Sequence, residues 1–181
     1  MTKLRIYTDG ACRGNQSEEN AGGWGAVLEY GEHRKEIHGG ERDTTNNRME
    51  MTALLRAFEA VKKDGQDIEV FCDSSYLINC FRERWYEKWQ RNGWRTAGKK
   101  AVVNRDLWEK LLPYIERHTA QFFLVKGHVD PDWPETRLRA AYAKFCESNG
   151  SRFDYEFFLH INAMNDRCDE LANIGADECG T

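Results

Sequence analysis

The sequence lacks the features that mark several classes of protein. No stretch approaches the ~18 consecutive apolar residues of a membrane span, and the N-terminal residues include no apolar run of signal-peptide length. The six cysteines form no Cys-x-x-Cys pair and no Cys/His cluster with zinc-finger spacing. A chain of this length does not need disulfides, so we expect reduced thiols and a soluble, cytoplasmic protein.

The chain also lacks an excess of positive charge. It has 26 Lys and Arg against 30 Asp and Glu, a net charge of -4. A nucleic-acid ligand would therefore require basic residues concentrated on one surface. Hydrophobic residues make up 40% of 181, enough for a sizeable core. No repeat or low-complexity linker divides the sequence, so we predict a single domain over 1–181.

Hydrophobic patterning predicts an α/β fold. Alternating segments at 4–8, 24–30 and 33–40 are typical of strands, joined as an antiparallel meander, with a polar loop over 10–23. An i, i+3, i+4, i+7 pattern of apolar residues predicts an amphipathic helix over 48–63. Further strands are expected at 68–72 and 120–128, and helices at 107–118 (bent or broken by Pro113), at 135–145 and, finally, at 166–178.

Four acidic residues fall at positions where a metal site can form. Asp9 and Asp73 are expected to close two strands, Glu50 lies in the first turn of the main helix, and Asp169 lies in the last helix. Clustered carboxylates need cations, and Mg²⁺ prefers oxygen ligands. Any one of these acids is more often a helix cap or a solvated residue. Their spacing alone does not establish that the four converge.

A segment at about 82–104 mixes aromatic and basic residues. Trp85, Tyr86, Trp89 and Trp94 lie there among basic residues, namely Arg84, Lys88, Arg91, Arg95, Lys99 and Lys100. Such a protrusion can stack on and neutralise a nucleic-acid backbone. The alternative is that the tryptophans form a local core and the cations a solvated face. Both can hold, since we expect Trp89 or Trp108 to pack internally.

Several motifs go beyond these general patterns. They occur in the order YTDGACRGN (7–15), GGWGAVL (22–28), TTNNRMEMTAL (44–54), VFCDSSYL (70–77), the aromatic-basic run (85–108), VKGH (125–128) and NDRCDELA (165–172). In this order they resemble type 1 ribonuclease H of the bacterial kind. The resemblance implies an α/β fold with a five-stranded mixed sheet, three antiparallel plus two parallel strands, flanked by helices. It also implies endonucleolytic cleavage of the RNA strand of RNA/DNA hybrids, leaving 5′-phosphate and 3′-hydroxyl ends.

The resemblance assigns roles to individual residues. Asp9, Glu50, Asp73 and Asp169 become the catalytic metal ligands for two Mg²⁺ ions with substrate bound, with Mn²⁺ as an alternative. His128 becomes a catalytic loop histidine that assists proton transfer or product departure. The protein is expected to be a monomer. The residues expected to bind nucleic acid are Gly10, Cys12, Asn15, Thr45, Asn46, Trp85, Lys99 and Lys100.

The sequence departs from the family pattern in two places. His128 and Asp169 are 41 positions apart, which implies an insertion at about 129–164 beside the active site. We expect this segment to pack on the body of the protein and to restrict His128. In addition, Ser75 stands where the bacterial pattern usually has Gln, so one contact to RNA is expected to be weaker or mediated by water.

Two other functions remain open from the residues alone. The same fold type also serves nucleases and strand-transfer enzymes that act on DNA, because fold does not determine function. The TTNNRME motif and the aromatic-basic run favour the hybrid-cleaving alternative. A catalytically silent hybrid-binding module is the second alternative, and the presence of all four acids argues against it.

Overall fold

The computed structural model describes residues 2–14 and 20–180. This part of the chain forms five strands: β1 (Leu4–Arg13), β2 (Ala21–Tyr30), β3 (His33–Arg42), β4 (Asp67–Cys72) and β5 (Thr119–Leu124). Its helices are α1 (Asn46–Glu59), α2 (Ser75–Arg82), α3 (Trp85–Asn92), α4 (Arg105–Arg117), α5 (Glu135–Asn149) and α6 (Tyr155–Gly180). None of these helices is both long and apolar enough to cross a membrane.

The strands form one mixed sheet in the order β3-β2-β1-β4-β5. Both β1 and β3 pair antiparallel with β2, whereas β4 pairs parallel with both β1 and β5. This arrangement confirms the α/β prediction of three antiparallel plus two parallel strands. The parallel strand β4 lies inside the sheet and is buried along most of its length, as a strand covered on both faces requires.

Hydrophobic residues pack on both faces of the sheet, because successive side chains of a strand point in opposite directions. Ile6 packs on one face with Phe58 of α1 and Trp108 of α4. Its neighbour Tyr7 packs on the other face with Phe71 and, from α6, Phe158. The sheet is therefore a central layer between helices.

The first hairpin is longer than the sequence indicated. The polar, glycine-rich segment 10–23 was predicted to be a loop, but β1 continues to Arg13 and β2 begins at Ala21, and these two residues pair. Backbone pairing needs no apolar side chain, so composition concealed the strand ends. Glycine is required at Gly23, where a Cβ would overlap the backbone oxygen of Ala172 in α6. The helix can approach the sheet closely because of this glycine.

The structure bears on two predictions about helices, and the second of them was wrong. Pro113 lies inside α4 without breaking it, since Trp108 and Leu111 hold the helix in the core. The last helix does not begin near Asp166 but runs without interruption over the 26 residues Tyr155–Gly180. Its first half buries Phe158, Ile161 and Asn165 on one face, at the spacing of helix turns.

The part of the 129–164 segment that precedes α6 contacts the β4–β5 side of the sheet. Asn149 at the end of α5 accepts a hydrogen bond from the backbone N–H of Leu124 and donates one to its carbonyl, both at 2.8 Å. Arg152 pairs with Glu69, whose side chain is 1% exposed and also accepts a hydrogen bond from Arg5. Edge strand β5 is therefore partly covered by this segment.

Replacing Arg152 with alanine should destabilise the protein by about 1–3 kcal/mol, because it leaves Glu69 buried with one cation fewer. Urea unfolding monitored by circular dichroism measures the change. The matched control is Arg56→Ala, which removes a solvent-exposed pair with Glu59 and should cost well under 1 kcal/mol. Equal effects of the two substitutions would contradict this account of Arg152.

Candidate metal centre and nucleic-acid surface

Three acidic side chains meet at one end of the parallel strands. The register pairs Tyr7 with Phe71, so Asp9 on β1 and Asp73 just after β4 follow side by side. Glu50 reaches them from the first turns of α1. One carboxylate oxygen from each of the three lies within 4.8 Å of the others. We refer to Asp9, Glu50 and Asp73 as the acid cluster.

Asp9 does not close its strand, contrary to the prediction. β1 continues to Arg13 and pairs Asp9 with Gly25 of β2. The parallel strands β4 and β5 both end near this level, at the paired residues Cys72 and Leu124. The pairing of β1 with β4 therefore stops at Tyr7 and Phe71, and Asp73 follows just beyond it. The backbone N–H of Gly10 donates a 2.8 Å hydrogen bond to the Asp9 carboxylate and holds it in place.

Helix α1 presents Glu50 because its N-terminal part lies directly on β1. A Cβ on Gly10 would overlap the backbone nitrogen of Glu50, so only glycine permits this approach. Thr45 caps the helix, its hydroxyl accepting a 3.2 Å hydrogen bond from the Arg48 backbone N–H. In the structure, Gly10 thus has a clear packing function at a position where the sequence predicted a nucleic-acid contact.

Burial and mutual repulsion shift the pKa values of the acid cluster. Burial and then repulsion by Asp73 raise the pKa of Asp9 to about 8, with smaller contributions from Asp169 and Glu50. Burial and then repulsion by Asp73 raise the pKa of Glu50 to about 7, although a hydrogen bond with Ser74 opposes the shift. Burial also raises the pKa of Asp73, partly offset by the positive charge of His128. Negative charge at this site is therefore energetically costly without a cation.

The donor set fits a divalent cation. All three candidate ligands offer carboxylate oxygens, the ligands that Mg²⁺ and Mn²⁺ prefer. Among the described residues, no Lys or Arg forms an ion pair with any member of the acid cluster. The side chains are nevertheless held in place by β1, α1 and the β4–α2 connection. A preformed, uncompensated group of carboxylates of this kind is suited to bind metal.

Asp169 and His128 lie around the acid cluster. Asp169 is half-buried in α6. Burial is the main cause of the raised pKa values of Asp9 and Asp73, and the negative charge of Asp169 raises both further. Its carboxylate is not part of the 4.8 Å group. His128 is exposed on the loop after β5, with a left-handed backbone at φ 63°.

Sequence reasoning missed Asp166, one turn before Asp169 on α6. Burial raises its pKa, the positive charge of His128 lowers it, and Asp169 raises it further. Its spacing of three residues from Asp169 could have indicated it, because residues three apart lie on the same side of a helix. Asp166 thus interacts electrostatically with both the loop histidine and the last aspartate.

Several predicted nucleic-acid contacts lie near the N-terminus of α1. Thr45 and Asn46 are exposed there. The Cys12 thiol is 3.5 Å from the carbonyl oxygen of Thr44, which places it beside the same turn. Asn15 lies outside the described residues. The exposed residues of this group remain predicted contacts.

The aromatic-basic segment combines a packed side with an exposed side. Trp108 is 0% exposed and Trp89 8%, and both belong to the hydrophobic core, as predicted. Trp85 is 36% exposed and stands edge-on to Trp89 at 6.4 Å. Lys99 and Lys100 are exposed on the turn that follows. The exposed residues are available to a ligand, while Trp89 and Trp108 anchor the segment.

The RNase H family model matches residues 1–134, well over half of the chain. This chain belongs to the RNase H family. A ribonuclease H from Syntrophomonas wolfei is 50% identical over 135 residues, 75% of this chain and 90% of that protein. A ribonuclease H from Clostridium botulinum is 41% identical over 178 residues, 98% of each chain. The resemblance drawn from the motifs is thus confirmed, and the chain is a nuclease.

Solved structures of RNase H proteins share the fold. LC9-RNase H1, a type 1 RNase H with the type 2 active-site motif, superimposes with a TM-score of 0.71 at 25% identity, covering 98% of this chain and 74% of its own. The RNase H domain of PFV gives a TM-score of 0.64 at 19% identity, covering 99% and 97%. At that lower identity the likeness concerns the fold alone.

In the absence of divalent ions, Asp9→Asn should stabilise this RNase H family member. The raised pKa of Asp9 means that its ionisation penalises the folded state increasingly as pH rises from about 4 to 8. At pH 8 the substitution should increase the free energy of unfolding by about 1–3 kcal/mol. This corresponds to a melting temperature that is higher by several degrees. The gain should shrink toward pH 4.

Thermal unfolding in EDTA, repeated with millimolar Mg²⁺, measures both effects. Mg²⁺ should stabilise the wild type more than Asp9→Asn, because ligand binding to the native state adds to its stability. The control is Asp132→Asn, which removes an exposed carboxylate outside the cluster. A destabilised Asp9→Asn variant in EDTA at pH 8 would contradict the electrostatic account.

Proposed function

We propose that this chain hydrolyses the RNA strand of RNA/DNA hybrids by a two-metal-ion mechanism, giving 5′-phosphate and 3′-hydroxyl ends. The observation that carries the proposal is the acid cluster, in which one carboxylate oxygen from each of Asp9, Glu50 and Asp73 lies within 4.8 Å of the others. The cluster occurs in a member of the RNase H family. A structure of the related LC11-RNase H1 was solved in complex with an RNA/DNA hybrid, with a TM-score of 0.55 at 22% identity.

In this proposal Asp9, Glu50 and Asp73 hold the divalent ions, and Asp169 completes the ligand set from α6. When bound, two divalent ions neutralise the carboxylates, activate a water and stabilise the leaving oxygen. The water releases a proton to solvent as its oxygen bonds to phosphorus, and the bond from phosphorus to the 3′-oxygen breaks. The departing 3′-oxygen takes a proton, and the phosphate stays on the 5′ end of the other product.

His128 carries a proton at its ring nitrogen between the reacting phosphate and solvent. Its exposed side chain and its charge interaction with Asp73 support this role. A ring nitrogen of an imidazole can accept a proton and release it again, which suits the side chain to this transfer. Gly127 before it lies against Asp73, where a Cβ would stand 3.2 Å from a carboxylate oxygen.

Recognition of the hybrid is assigned to the surface around the N-terminus of α1 and the aromatic-basic segment. Distinguishing RNA from DNA requires contacts to the 2′-hydroxyl, which both donates and accepts. The Asn46 amide has this two-way capacity. Thr45 contacts a phosphate of the DNA strand, and Trp85, Lys99 and Lys100 contact the backbone farther along. We further propose that the chain acts as a monomer and uses Mg²⁺ or Mn²⁺.

Cleavage of a labelled RNA/DNA hybrid, compared with duplex DNA and duplex RNA of the same sequence, tests the proposal. Only the hybrid should be cut, only with Mg²⁺ or Mn²⁺, and Asp9→Asn should lower the rate by at least a hundredfold. Because Asp9→Asn is expected to be stably folded, its inactivity reports on chemistry. Equal cutting of all three duplexes, or full activity of the variant, would overturn the proposal.

His128→Ala should reduce kcat by about tenfold to a hundredfold while changing KM much less, because it removes a proton carrier and not a binding contact. Steady-state kinetics on the hybrid at pH 7 to 9 measures both parameters. The control is His33→Ala, an exposed histidine at the start of β3. An unchanged kcat for His128→Ala would remove His128 from the mechanism.

A further inference from the structure

A cavity of about 360 Å³ adjoins the acid cluster and has no role in the function proposed above. It lies between the end of β4, the loop after β5 and helix α5 of the 129–164 segment. Its lining includes Asp73, so the cavity and the acid cluster share one carboxylate. The polar residues of the lining, besides Asp73, are Ser75, Lys126, Lys144 and Ser148.

The two lysines of this cavity are exposed and uncompensated. In residues 2–14 and 20–180, neither Lys126 nor Lys144 forms an ion pair or a side-chain hydrogen bond. Ser75 and Ser148 add two exposed hydroxyl groups, each able to donate. Two ammonium groups and two hydroxyls around one cavity favour an anion, and phosphate oxygens match these donors.

Lys144 is held at the cavity by a well-anchored helix. The next residue, Phe145, is buried against β5 and α6. One turn later, Asn149 bonds both backbone groups of Leu124. Arg82 of α2 donates to the carbonyl of Ser148 at 2.9 Å. The lysine therefore projects from a fixed position.

We propose that this cavity binds a phosphate of the RNA strand that adjoins the scissile one, with Lys144 as its principal cation. The inference rests on the proposed function and deepens it. A scissile phosphate at the acid cluster belongs to the RNA strand, so the phosphates next to it along that strand pass the same end of β4. Asp73 borders both places, so a neighbouring phosphate reaches Lys144. Helix α5 lies beyond residues 1–134, so this contact is added to the part of the chain that the family model matches.

Lys144→Ala should raise KM for the hybrid about two- to fivefold at moderate salt. The plot of log(kcat/KM) against log[salt] should become shallower by about 0.7–0.9, the change expected for the loss of one phosphate contact. Lys144→Arg should keep the wild-type salt slope. The matched control is Lys62→Ala, an exposed lysine beside Leu4 at the opposite end of β1. If Lys144→Ala behaves like Lys62→Ala, the inference is overturned while wild-type cleavage still upholds the proposed function.

A second measurement identifies the strand. Hybrids with one cleavable position are shortened nucleotide by nucleotide from either end of the RNA strand, and in parallel from either end of the DNA strand. The difference in KM between wild type and Lys144→Ala should disappear once the contacted RNA phosphate is removed. Disappearance only on shortening the DNA strand would overturn the assignment. If the wild type fails to cleave, equilibrium binding of the same hybrids to both proteins decides the inference separately.

Discussion

The repulsion among carboxylates that the fold holds together is the constraint on which the rest of this structure depends. Asp9, Glu50 and Asp73 are each removed from water far enough to raise their pKa values. Parallel pairing of β1 with β4 forces the two aspartates into adjacent positions, and α1 adds the glutamate. The folded state tolerates this cost because hydrophobic packing on both faces of the sheet fixes the backbone elements. A bound cation removes this cost, so metal binding should also stabilise the folded state.

Close contact between helices and sheet is the second requirement of the site. Gly10 allows α1 to lie on β1, and Gly23 allows α6 to lie on β2. A side chain at either position would separate the layers and withdraw Glu50 or Asp169 from the aspartates. The 129–164 segment adds a further contact to the sheet. Asn149 bonds to β5 and Arg152 pairs with Glu69 of β4, on the side of the sheet from which the loop of His128 leaves. Helix α5 of this segment lines a cavity that also includes Asp73 of the acid cluster.

The aromatic-basic segment shows how one stretch of sequence serves two purposes. Trp89 and Trp108 are buried and join α3 and α4 to the core, whereas Trp85, Lys99 and Lys100 remain exposed. The overall charge of -4 hides this concentration of cations. A surface that binds nucleic acid depends on where the charges lie, and net charge does not report that.

The sequence by itself determined the class of fold, the five strands, the amphipathic helix α1 and the family, because apolar periodicity and the order of short motifs are local properties. It also nominated Asp9, Glu50, Asp73 and Asp169. It could not determine the true length of β1 or the start of α6 at Tyr155, since both depend on partners distant in the chain. Convergence of the acid cluster and the place of Lys144 beside Asp73 were decided only by tertiary structure, because strand register and the docking of α5 bring together residues that no local pattern relates.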